Sequence, residues 1–140
     1  MRGTTTGKLS ISVVAMALAP CAATAQTTEP QKAVIGAATS FSIAYGVWLW
    51  EEHCLTLATD KRAAFETMIN EDMRRLHEAA DERLFNAAAG AAKDLANDPK
   101  NADCKAMAAD GFADFGMDQA RDAAAKLATV PPGYHLTIKD

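Results

Sequence analysis

Met73 and His77 stand four residues apart, one turn of a helix. A thioether and an imidazole placed that way could hold copper(I) or one side of a haem. They are the weak candidate ligands of a chain that offers little else to a metal. His53, His77 and His135 belong to no H-E-x-x-H or C-x-x-C-H pattern, which removes the zinc-protease and covalent c-type haem readings. A second constellation is Glu51-Glu52-His53, directly after Trp48-Leu49-Trp50. An acid and a base beside two indoles could line a pocket. The nucleophile of a triad is missing, because past residue 25 the serines are Ser40 and Ser42, and neither lies in a G-x-S-x-G context. Carboxylate pairs suited to glycoside cleavage are available in any acidic chain and carry no signal. The sequence predicts no catalytic residue, no cofactor and no resident metal.

The aromatics are gathered in the first half: Phe41, Tyr45, Trp48, Trp50 and Phe65. A small bundle has limited core volume, and an aromatic left at the surface marks a contact site. Trp48 and Trp50 are two apart, so on a helix they point in different directions. One is expected in the core; the bundle either buries the other as well or leaves it at an interface, so Trp48, Trp50 and Tyr45 are the candidates for binding a partner.

Helical periodicity positions these groups. Over 33–58, Ile43, Val47, Trp50 and Cys54 form one apolar stripe, and Phe41, Tyr45 and Trp48 form another next to it. A helix apolar most of the way round belongs at the centre of a bundle. Gly36 and Gly46 are candidate breaks in it. Residues 60–97 read as one long helix: Phe65, Ile69, Leu76, Ala80, Leu84, Ala87, Ala91 and Leu95 recur at spacings near three, four and seven. Asp60 is the expected cap and Gly90 a candidate bend. Asn97-Asp98-Pro99 is a stop and restart signal, since proline suits a first helical position. A third helix follows, breakable at 111–117 around Gly111 and Gly116, and Asp118 could cap a last one over 119–128. The fold class expected is all-α: a bundle of three to four helices.

The first residues read as an export signal. Arg2 and Lys8 precede an uncharged, largely apolar run at 9–19, then Pro20 and an A-x-A site at Ala23 and Ala25. The run of 11 residues is short of the roughly 20 a bilayer span needs. Cys21 is a lipidation site only if Pro20 is tolerated before it. The expected division is a cleaved signal peptide at 1–25 and a single helical domain at 26–140, with 26–32 and 131–140 loose. A span within 34–50 is disfavoured by its length, its hydroxyls and its glycines.

Cleavage would leave two of the three cysteines, Cys54 and Cys104. An even count in an exported protein argues for a disulfide, and two cysteines allow one internal pairing. The bridge would staple the first helix to the third. The leader removes Arg2 and Lys8 from the 14 basic residues and none of the 18 acidic ones, so the net charge moves from −4 to about −6. An acidic surface without a basic patch excludes nucleic acid as a partner.

In general form, with export, two cysteines 50 residues apart and Trp50 shortly before Cys54, the chain is similar to the periplasmic acid-stress chaperones. The similarity is one of spacing, and no site residue is carried across. The function expected is that of a small periplasmic or secreted protein that binds another protein, as a chaperone, an inhibitor or an immunity protein would. The alternatives are a metal or haem carrier using Met73 and His77, and an envelope component that forms a homodimer through the first helix.

Overall fold

The computed structural model of the protein describes residues 27–139. The signal peptide expected at 1–25, with its expected cleavage site, and Cys21 lie outside the described residues. The structure is an all-α bundle. Its helices are α1 (Glu29–Cys54), α2 (Thr59–Ala79), α3 (Glu82–Asn97), the short α4 (Cys104–Ala109) and α5 (Phe112–Ala128), with a 3-10 turn at Pro99–Asn101.

α1 begins earlier than its sequence suggests. Thr28 caps it by accepting a hydrogen bond from the Gln31 N–H, and Pro30 and Glu29 occupy the first turn, where a missing N–H costs nothing and a negative charge meets the helix dipole. The segment expected to be loose at 26–32 therefore enters the helix at Glu29. α1 ends at Leu55, which takes a left-handed φ of 54°. Between those ends it is the hub of the bundle, with α3 and α5 packed along it and α2 closing the remaining side. By length and composition α1 could cross a membrane, but 56% of its most apolar window is buried inside the protein. Its apolarity on several faces serves three helical neighbours.

The glycines of α1 and α5 do not break their helices. Gly46 lets α3 approach: a Cβ there would stand 2.9 Å from the Ala92 carbonyl oxygen. Gly116 does the same for α5, where a Cβ would meet Val47 at 2.5 Å. Side chains that small let backbones close on each other, and larger ones would force them apart. The break in the last third falls at Gly111, whose φ of 77° ends α4 and starts α5. Asp118, expected as a cap, lies inside α5 and pairs with Arg121 at 2.7 Å.

The long helix expected over 60–97 is two helices. Ala80 turns extended between α2 and α3, and Asp81 caps α3 by accepting from the Leu84 N–H. The C-terminal tail holds this joint. The Leu136 N–H donates to Ala79 O at 2.7 Å and the Asp81 N–H to Leu136 O at 3.0 Å, while the Ile138 N–H donates to the Asp81 carboxylate at 2.8 Å. Leu136 is buried. The tail at 131–139 is thus anchored where it was expected loose, because it supplies backbone partners that the interrupted helix lacks. Gly90 sits exposed in a continuous α3. Asp60 lies in the first turn of α2, behind Ala58 at the cap position. The stop at 97–99 holds, with Asp98 capping the 3-10 turn through the Lys100 N–H.

Candidate functional site

Cys54 and Cys104 close one end of the bundle. Their sulfurs are at bonding distance, 1.97 Å, with Cα atoms 5.5 Å apart, so the last turn of α1 is tied to the first turn of α4. Trp50 sits one turn before Cys54. Its indole N–H donates to the Asn101 carbonyl oxygen at 2.8 Å, and its ring meets Phe112 edge-on, centroids 5.0 Å apart. The Asn101 side chain in turn donates to Leu95 O at 2.9 Å. A buried tryptophan needs a partner for its N–H, and here that partner pins the 3-10 turn against α1.

Between these fixed walls lies a cleft of about 500 Å³. Leu49, Trp50 and His53 of α1 form one side, Lys93 and Asn97 of α3 the other, and Asp98 and Asn101 the end. The Asp98 carboxylate is occupied by the Lys100 N–H. The exposed side chains of His53 and Lys93 make no ion pair among the described residues. The cleft thus offers two unengaged basic groups on a rigid, partly apolar frame. Lys93 and the turn at 98–101 were not legible as site residues: they are far from Trp50 in sequence and ordinary in type.

The acidic residues beside the tryptophans separate. Glu51 is fully buried and points away from the cleft, into the α1–α2 turn. It accepts hydrogen bonds from Thr56 Oγ1 and the Leu57 N–H, at 2.5 and 2.7 Å. Arg62 lies 3.5 Å from the same carboxylate and 2.8 Å from the Glu51 carbonyl oxygen, with its guanidinium 4.9 Å above the Trp48 ring. Glu51 is a clasp for the turn, with no free oxygen to serve as an acid or base. Glu52 is solvent-exposed, and of the three only His53 reaches the cleft.

The tryptophans are both covered, Trp48 at 7% and Trp50 at 3% exposure. The bundle buries both indoles, so neither stands at the surface as an interface candidate: α2 covers Trp48 through Phe65, and the disulfide-linked turn covers Trp50. Tyr45 is half-buried and stacks on Phe41. Val47, on the apolar stripe of the first helix, is fully buried under Gly116. Met73 packs against the core, and the His77 ring lies over Phe85 with centroids 4.0 Å apart. Among the described residues no group of three or more His, Cys, Asp or Glu is gathered as a metal cage.

One polar cluster escaped the sequence altogether. Ser40, mid-helix in α1, donates to the Asp122 carboxylate of α5, and Lys126 bridges to both. Lys126 first, then Ser40, holds the Asp122 carboxyl below its ordinary value. A serine beside a lysine can be a nucleophile and its base. Here the lysine is paired with Asp122, and the backbone N–H groups around Ser40 are spent in the helix, so nothing forms an oxyanion hole. The cluster fastens α1 to α5.

No protein-family model matches this chain, and no curated protein or solved structure matches it either.

Proposed function

We propose that the protein is a small exported helical module that works by binding another protein, and that the cleft beside the disulfide is where it binds. The cleft carries the reading. It is the place where a rigid apolar wall, Leu49 and the covered Trp50, adjoins two basic groups, His53 and Lys93, that make no ion pair among the described residues. Its volume lies within the roughly 300–1,000 Å³ of ligand pockets, enough to take an inserted side chain of a partner. Recognition surfaces combine such an apolar anchor point with a polar rim. The disulfide supports export, since such bonds persist in oxidising compartments. It also fixes the cleft before binding, which lowers the ordering cost of association.

The test is photo-crosslinking in the native host, with the reactive residue placed at Lys93 and, as a control, at exposed Glu66 on α2. A discrete protein adduct at position 93 that is absent at 66 supports the reading. Equal labelling at both positions, or none at 93, overturns it. The mass of the recovered chain checks export separately: it should begin at Gln26 and be two hydrogens lighter than the dithiol.

A further inference from the structure

The stripe that α2 turns toward its neighbours reads Phe65, Ile69, Asp72, Leu76 and Ala79. Phe65 shows what the stripe faces. Its ring meets Trp48 of α1 edge-on at 5.4 Å, and its tip stands 3.0 Å from where a Cβ on Gly116 of α5 would be. Two turns farther along the same stripe is Asp72, 1% exposed, with an Oδ2 that has no hydrogen-bond partner among the described residues. A carboxylate removed from water without compensating bonds favours its neutral form.

The surroundings supply little help. On α2 itself, Arg75 acts in favour of the ionised form and Glu71 against it. α1 brings Tyr45 as its one ionisable residue between Lys32 and Glu51. α5 brings Asp118 with Arg121, and Asp122 with Lys126, each paired within its own helix. From the α2–α3 joint, Asp81 is spent on the Leu84 and Ile138 N–H groups, and His135 of the tail sits on Glu78 O.

We propose that Asp72 is a proton-operated latch: ionised, it loosens α2 from the α1–α5 pair, and protonated, it lets the three helices close. This goes beyond the binding reading and stands independently of it. Burial is the largest influence on Asp72 and pushes its carboxyl from 3.8 up to about 7, against the lowering by Arg75. The direction of the linkage follows. Between those two values the folded chain holds a proton that the unfolded chain has released. The stability this group contributes is therefore fully present below about pH 3.8, falls as pH rises from there to about 7, and then levels off. From pH 5 to pH 8 the folded-to-unfolded ratio should drop on the order of 100-fold. The domain tightens as its surroundings turn acid.

The test uses the full chain with its disulfide intact. Urea unfolding is followed from pH 5 to pH 8 for the wild type and for Asp72→Asn. The expected result is a fall of roughly 100-fold in the wild type that is absent in the variant. Parallel pH profiles would overturn the proposal. Carbon-13 titration of the aspartate carboxyls reads the same group in the wild type alone. A midpoint for Asp72 near 7 supports the latch, and one near 4 sinks it even if the variant does not fold. Hydrogen exchange, corrected for intrinsic rates, should show α2 opening more at pH 8 than at pH 5 while α3 changes less.

Discussion

Among the described residues two carboxylates are removed from water, one at each of two helix contacts, and they live differently. Glu51 at the α1–α2 turn is 0% exposed, and Thr56, Leu57 and Arg62 all supply donors to its carboxylate. Asp72 on the face of α2 is 1% exposed and has an orphaned oxygen. Burial is equal, so burial cannot explain the difference. What differs is the backbone nearby. A turn leaves N–H groups unspent, and a carboxylate placed there is met by them. The middle of a helix spends every N–H on its own ladder, and a carboxylate there meets only side chains. The same residue chemistry makes a fastening at a turn and a stored cost on a helix face.

The strongest way to strain this comparison is to cut the covalent tie beside Glu51. Replacing Cys54 and Cys104 together with alanine should destabilise by about 4 kcal/mol for a loop of this length, read from urea midpoints. If the loss is under about 1 kcal/mol, the polar clasp alone holds that end. Next comes Glu51→Leu, which strands Arg62 and the Leu57 N–H. It should cost about 3 kcal/mol. Asp72→Leu, the same kind of exchange at the other site, should have the opposite sign: at pH 8 it should stabilise by about 1–2 kcal/mol, since an apolar group replaces an unpaired charge. Two losses of equal size would mean that Asp72 has partners after all, and the contrast would collapse.

Gly116→Ala tests whether the seam of α5 with Val47 of α1 and Phe65 of α2 tolerates any growth. The added methyl meets Val47, and overpacking of that kind costs about 1–3 kcal/mol, seen as a lower melting temperature. The smallest effect expected is at the acid limb. Asp81 and Asp122 are held below their ordinary values, Asp81 chiefly by the Ile138 N–H and Asp122 chiefly by Lys126. A lowered carboxyl gives stability that is present above its unfolded value and lost as pH falls through its folded one. The wild-type profile should therefore turn down again below about pH 4. Asp72→Asn should flatten the limb between pH 5 and 8 and leave the acid limb in place.

The central role of α1 was legible because its apolar residues cover several faces, and a helix can hide several faces only by being surrounded. The disulfide was legible because the two cysteines past residue 25 allow one internal pairing. The stop at 97–99 was legible because Asp98 and Pro99 act on their own local backbone. The split between α2 and α3 was not. Ala80 and Leu84 stay in step with the apolar stripe on both sides of it, so periodicity runs straight across the joint. The partners that hold the joint, Leu136 and Ile138, arrive from more than fifty residues away. The cleft was half legible: Trp50 and His53 drew notice as a pair, whereas Lys93 and Asn101 carry no local mark.

From the sequence alone came the helical class, the hub, the staple and the leader-like start. Each of these depends on composition or on contacts within a helical turn or two. Only the tertiary structure decided that Gly46 and Gly116 admit neighbours where they could have broken helices. It alone put both tryptophans under cover, turned Glu51 away from His53, and left the Asp72 Oδ2 without a hydrogen-bond partner among the described residues. Those outcomes depend on which distant backbone lies against a side chain, and spacing along one helix holds no record of that. Periodicity says which side of a helix is hidden; the packed neighbour decides what the hidden side meets.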